Sequence, residues 1–297
     1  MFKEREMKIT NNFNIPAPLY QHALRDGYSK GASDYSVTEI IGAPRVQALR
    51  RKHWADMTQD ASESLWSLLG TALHSVAERS QVESHTTEER LFIEIDGITL
   101  SGAIDLQHEQ DGQVEITDYK FTSVYSLKGT KPEWEQQQNI YAWLVEKVKG
   151  KKVSSIRICA ILRDWTKREA EASESYPQAP IQIVDVEMWG AEKTEQYVRE
   201  RIEMHRQAKV SFDWGEELQP CSDEERWTRP TTYAVKKEGG KRALRVFEIK
   251  EEAQELSDNT PKSFVETRPG VSVRCEGNYC GVSQWCTQYQ GEKNVSE

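Results

Sequence analysis

Residues 90–120 constrain this chain more than any other stretch. Apolar and polar residues alternate there, and two Asp-Gly pairs, Asp96-Gly97 and Asp111-Gly112, interrupt the alternation. Asp-Gly favours the two-residue turn whose left-handed backbone matches the twist of paired strands. The segment therefore reads as three antiparallel strands. With Asp111-Gly112 as a two-residue turn, Gln110 faces Gln113, and counting outward sets Asp105 opposite Asp118. The two-residue period of a strand puts Asp118 and Lys120 on one face, and Lys120 then faces Ala103, which leaves room for a long side chain. Directly opposed side chains have Cβ atoms about 4.5–5.5 Å apart, where like charges repel. A divalent cation between Asp105 and Asp118 would offset that repulsion. Two carboxylates with a neighbouring lysine suit phosphodiester hydrolysis. Mg2+ or Mn2+ takes oxygen ligands, acidifies a water and balances transition-state charge. Lys120 can orient the water or neutralise developing charge. Alone, the same pattern also fits a surface hairpin with solvated acids.

Around this hairpin the pattern is α/β. Ser36-Val37-Thr38-Glu39 reads as a helix start with Ser36 or Thr38 as cap. Residues 61–81 carry Leu65, Leu68, Leu69, Ala72, Leu73, Val76 and Ala77 at the 3.6-residue period of a half-buried helix. Residues 133–148 and 191–210 read as helices, and 153–162 and 181–188 as strands. We expect an N-terminal extension over 1–35, an enzyme core over 36–218, and a basic, cysteine-containing appendage over 219–297. The chain has 297 residues, 37% hydrophobic and 29% charged, enough to bury a core and unlike a disordered tail. No apolar run approaches the roughly 20 residues that span a bilayer, and the charged N-terminus lacks a signal-peptide pattern, so no membrane partner and a cytoplasmic location are expected. With 39 Lys+Arg against 48 Asp+Glu the net charge is −9, which argues against wholesale coating of nucleic acid. Two basic stretches lie within it. Residues 120–170 hold 11 Lys/Arg against 5 Asp/Glu, and residues 226–250 hold 8 against 2. Such stretches can draw in phosphates. Trp134, Trp143, Trp165, Trp227 and Tyr233 lie near them and could stack on unpaired bases, although a core role is the commoner one.

Three motifs flank the hairpin: Gly70-Thr71-Ala72-Leu73-His74 on the preceding helix, Gly102 three residues before Asp105, and Gln137-Gln138-Asn139-Ile140-Tyr141 on the following helix. Gln137 and Tyr141, four apart, share a helix face. In this order the motifs resemble the PD-(D/E)XK nuclease superfamily, and specifically its RecB-like branch, over about residues 36–165. That branch includes the nuclease domains of RecBCD and AddAB helicase–nucleases and the CRISPR-associated RecB-like exonucleases. The whole arrangement looks like a stand-alone phage-type exonuclease. The resemblance implies a restriction-endonuclease-like core, a mixed central sheet flanked by helices. It implies His74, Asp105 and Asp118 as metal ligands with the Tyr119 carbonyl as a fourth, Lys120 as catalytic lysine, and Gln137 and Tyr141 supporting it. One or two Mg2+ or Mn2+ ions would serve, and imidazole favours Mn2+ somewhat. The implied substrate is linear DNA, single- or double-stranded, cut from an end in phage recombination, repair or end processing in a bacterial cell. A recombinase or single-strand-binding protein is an expected partner. A structure-specific endonuclease and a non-catalytic DNA-binding subunit stay open as alternatives, with an RNA nuclease a weaker one.

Of five cysteines, Cys159 sits in an apolar strand and reads as a small core residue. Cys275, Cys280 and Cys286 form a tight C-terminal group, which in a cytoplasmic chain points to metal rather than disulfides. The group resembles that of RecB-like nucleases carrying a [4Fe–4S] cluster. Those place the fourth cysteine before the core, where this chain has none, so Cys221 is the expected fourth ligand. Four thiolates would also suit Zn2+.

Overall fold

A computed structural model of the chain describes residues 7–25, 30–80, 82–129 and 131–290. The chain divides into two compact units. One comprises Met1–Gly42 and Trp54–Val210, the other Ala43–His53 and Ser211–Glu297.

The first unit is mixed α/β around a six-stranded sheet of β1 (Tyr35–Ser36), β2 (His85–Ile95), β3 (Ile98–Gln110), β4 (Gln113–Thr122), β5 (Lys152–Leu162) and β6 (Ile181–Val186). Both Asp-Gly pairs form the turns read from the sequence. Asp96 and Gly97 have φ of 52° and 77°, and Asp111 and Gly112 have 52° and 73°. Left-handed backbone at both central residues is the type I′ requirement. The registers follow, with Ile95 opposite Ile98 and Gln110 opposite Gln113. Pairing of β3 with β4 stops at Leu106–Thr117. Farther back along β3, the same edge pairs with β1 at Leu100 and Ser101. The hairpin thus opens where Asp105 and Asp118 stand.

Among the helices are α1 (Val37–Ile41), α2 (Pro44–His53), α3 (Leu65–Arg79), α4 (Pro132–Lys149), α5 (Ala191–Trp214) and α6 (Lys250–Asp258). Ser36 caps α1 in a reciprocal box: its hydroxyl accepts from the Glu39 N–H, and its own N–H donates to the Glu39 carboxylate. α4 connects the parallel strands β4 and β5. Pro132 pre-sets its first turn, and Gly150, at φ 65°, ends it. Its Ile140 and Leu144 are fully buried, in one cluster with Ile104, Ile116 and Ile158 of the sheet. Gly102 makes this approach possible, since a Cβ there would lie 2.7 Å from Leu144 Cδ1 and 2.9 Å from Tyr141 Cε1. α3 differs from the half-buried helix expected over 61–81. It starts at Leu65 after a 3-10 turn, and none of its residues is fully buried. It packs against β2 and β4, beside the opened hairpin rather than a closed core, so Leu65, Trp66 and Val76 remain exposed. Among the described residues no helix is long and apolar enough to cross a membrane.

The second unit contains α2, a three-stranded antiparallel sheet of β7 (Thr232–Lys237), β8 (Ala243–Phe247) and β9 (Ser263–Arg268) with β7 central, α6 packed on that sheet, and the cysteine-bearing segments.

Candidate active site and cysteine pocket

β4 carries Asp118 and Lys120 on one face, and Lys120 Nζ lies 2.7 Å from Asp118 Oδ2. Asp118 is only 1% exposed. Across the opening, Asp105 Oδ2 accepts a hydrogen bond from the Tyr119 N–H at 2.9 Å. A side chain thus takes the place of the ladder bond the strands have lost, and it ties the two strands at the splay. Burial pushes the Asp105 carboxyl up to about 7, and the Asp118 charge adds to the shift. Burial raises Asp118 as well, against the pull of Lys120.

His74 projects from α3 to this point. Its Nδ1 lies 2.6 Å from Glu88 Oε1 and 3.8 Å from Asp105 Oδ1. The hydrogen bond to Glu88 raises the imidazole pKa, and the charge on Asp105 adds to it. One donor atom each from His74, Glu88 and Asp105 fall within 4.8 Å of one another, a spacing that one cation can bridge. Glu88 was not anticipated from the sequence. It stands on β2 between Thr87, paired with Leu106, and Glu89, paired with Ile104, which sets it opposite Asp105. Its φ is 52°. A left-handed glutamate inside a strand is uncommon, and strain of this kind gathers at functional sites. A signal was present in the sequence, because counting back from Asp96-Gly97 pairs 88 with 105. Glu78, one turn beyond His74, is exposed.

Gln137 and Tyr141 are both buried on α4, and Gln137 Nε2 donates to Tyr141 Oη at 2.8 Å. The Tyr141 ring rests on Gly102. Trp134 and Trp143 are buried core residues, and the Trp165 indole N–H donates to the Pro177 carbonyl. Of the aromatics considered for stacking, Trp227 is 43% exposed, with the Arg274 guanidinium 5.4 Å from its ring centre.

In the second unit Cys221, Cys275, Cys280 and Cys286 line one cavity of about 380 Å3, mouth included, together with Arg45, Arg226 and Arg274. Arg45, on α2 and 4% exposed, donates through Nε to Cys286 Sγ at 3.3 Å and through Nη1 to the Leu218 carbonyl. Burial pushes the Cys221 thiol up to about 12, helped by the Glu225 charge, and burial raises Cys275 too. Cys159 is half-buried in β5.

A family model described as the PD-(D/E)XK nuclease superfamily matches residues 22–287. Among solved structures the chain is similar to SSO0001, with 16% identity and a TM-score of 0.40 over 63% of this chain and 82% of that one. It is also similar to a candidate exonuclease from Eubacterium rectale, with 14% identity and a TM-score of 0.29 over 67% of this chain and 73% of that one. No curated protein sequence matches it.

Proposed function

The chain belongs to the PD-(D/E)XK nuclease superfamily, and from that premise we propose that it is a metal-dependent DNA exonuclease of the RecB-like branch. One observation carries the reading: Asp105, Asp118, Lys120, His74 and Glu88 converge at the opened end of a single hairpin. The exonuclease assignment, the phage setting in recombination or repair, and a recombinase or single-strand-binding partner rest on the motif resemblance.

The donor set fits a hard divalent cation. Three carboxylates and an imidazole meet where burial disfavours charge, so Asp105 holds its proton up to about 7, and a cation would reverse that cost. Asp105, Asp118, His74 and the Tyr119 carbonyl would hold Mg2+ or Mn2+, with Glu88 as a further oxygen donor or as the group that orients His74. When bound, the ion supplies Lewis acidity toward the phosphate and lowers the pKa of water. Lys120 shares its face with Asp118 and can release that carboxylate to orient the attacking water or meet charge developing on the phosphate. Glu88 fixes the His74 ring through Nδ1. Tyr119 N–H holds Asp105, and Gln137 with Tyr141 braces α4 against β3 at Gly102. In-line attack would break the bond to the 3′ oxygen and leave a 5′ phosphate.

We infer a second metal site from the four cysteines that line one cavity. Burial makes the Cys221 and Cys275 thiols costly to ionise unaided, while Arg45, Arg226 and Arg274 supply positive charge around them. Cys221, Cys275, Cys280 and Cys286 would hold a [4Fe–4S] cluster, with Zn2+ the alternative. A visible absorbance band after anaerobic purification distinguishes the coloured cluster from colourless zinc.

The test is degradation of end-labelled linear single- and double-stranded DNA with Mg2+ or Mn2+, alongside a covalently closed circle. Wild type should consume linear DNA and spare the circle, and Lys120→Ala should leave both intact. Cutting of the circle would favour an endonuclease, and binding without cutting would favour a recruiting subunit.

A further inference from the structure

Trp66, near the start of α3, is 46% exposed, and the Arg163 guanidinium sits 4.5 Å from the centre of its ring. Two independent paths lead from the proposed nuclease site to this pair. Along α3, Trp66, Gly70 and His74 occupy one i, i+4, i+8 ridge, a span of about 12 Å. Gly70 stands midway, and a Cβ there would meet no atom within 4 Å, so the ridge is open between the two. Along the sheet, Arg163 follows the end of β5, and its N–H donates to the Thr122 carbonyl at 2.9 Å. Thr122 ends β4 two residues after Lys120, roughly 7 Å along the strand. A second exposed pair lies in the turn that follows. Tyr125 is 71% exposed, and Lys128 Nζ lies 5.0 Å from its ring centre. The Val124 N–H donates to Asp164 Oδ1 at 2.8 Å, which holds this turn beside Arg163.

We propose that Trp66 and Arg163, with Tyr125 and Lys128 beside them, form a platform for an unpaired DNA strand that leads to the nuclease site. This inference rests on the nuclease reading above. An aromatic face presents a stacking surface to any base, and a neighbouring cation meets the phosphate. Bases inside a duplex are stacked on one another and cannot take such a face, so the platform selects a single-stranded end. Exposure of a large aromatic ring beside a cation, on an open ridge, contributes little to the core and suits a ligand with a π-face and a negative charge. Gly70 keeps that ridge clear for the backbone of the strand.

The test measures binding apart from cleavage, by fluorescence anisotropy in EDTA, with fluorescein-labelled oligo-dT and a blunt duplex of equal length. Trp66→Ala should weaken oligo-dT binding roughly 5- to 150-fold and duplex binding much less. Trp66→Phe should restore most of the affinity, and Arg163→Gln should lower both affinity and its salt dependence. Unfolding curves check each variant, and Trp66→Phe with Arg163→Gln carries the test if Trp66→Ala does not fold. Unchanged oligo-dT binding by Trp66→Ala and Arg163→Gln, or equal losses on both probes, would overturn the platform while leaving metal-dependent cutting intact. Conversely, a wild type that binds oligo-dT through Trp66 but never cuts would overturn the nuclease reading and leave the platform standing.

Discussion

Asp105 concentrates the electrostatics of the site. Its carboxyl titrates near 7 because it is buried, with Asp118 adding repulsion. Such a group keeps its proton in the folded chain after the unfolded chain has lost it, so between about pH 4 and pH 7 the folded state binds more protons and stability falls as pH rises. A divalent cation binds the ionised form, so Mg2+ should raise Tm more at about pH 8 than at about pH 6. Asp105→Asn should flatten both the pH dependence and the metal shift. Thermal melts with EDTA or Mg2+ measure this, and equal Mg2+ shifts at both pH values would sink it. Glu88 offers a second handle. Glu88→Gln removes the charge that His74 Nδ1 meets at 2.6 Å, and orienting partners of metal ligands are worth about 10- to 100-fold in affinity or activity. We expect a loss of that size and a higher Mg2+ concentration for half-maximal cutting. An unchanged metal titration would remove Glu88 from the site. Glu88 was legible in principle, because the arithmetic that pairs 105 with 118 about Asp111-Gly112 also pairs 105 with 88 about Asp96-Gly97. Its left-handed φ was not, because no local sequence preference asks a glutamate to adopt it.

At the scale of elements, the hairpin and α4 are joined at Gly102. Gly102→Ala would push a methyl to 2.7 Å from Leu144 Cδ1. Overpacking of this kind costs about 1–3 kcal/mol. The variant should unfold at lower denaturant with an unchanged m-value, and it should lose activity through the displaced Gln137–Tyr141 pair. Equal midpoints for variant and wild type would show that α4 does not rest on this glycine. The hairpin itself was readable because both turns are set by two residues each. α3 was readable in position but not in burial. Its 3.6-residue period reports an apolar stripe, while whether the stripe meets a closed core depends on where β3 and β4 part.

At the scale of the whole molecule, residues 43–53 are separated in sequence from the rest of the second unit and are held there by Arg45. This buried guanidinium reaches Leu218, Glu217, Thr287 and Cys286. Arg45→Met leaves the buried Leu218 carbonyl and Cys286 sulfur without this donor, at a cost of about 1–3 kcal/mol for each buried group left unsatisfied. It should make residues 211–290 sensitive to limited proteolysis, and Cys275→Ser should do the same if the cavity holds a metal. Protease patterns identical to wild type for both variants would remove the clasp and the metal as supports of this unit. The sequence grouped Cys275, Cys280 and Cys286 and offered Cys221 as a fourth, but Arg45 carried no signal, since it lies 172 residues before Glu217 in the chain.

The sequence by itself determined what is encoded within a few neighbouring residues: the Asp-Gly turns, the hairpin register as far as Leu106–Thr117, the shared face of Asp118 and Lys120, a helix cap at Ser36 or Thr38, and the span of α4. The order of the motifs also carried the family. Tertiary structure decided the opening of the hairpin beyond Leu106–Thr117, the burial that lifts Asp105, the strained turn-in of Glu88, the exposure of Trp66 beneath Arg163, and the reach of Arg45 to Cys286. The division has a physical reason. Turns, caps and periods are settled by local sterics and hydrogen bonding. Desolvation, strand splay and side-chain clasps arise only when segments far apart in sequence exclude water from one another.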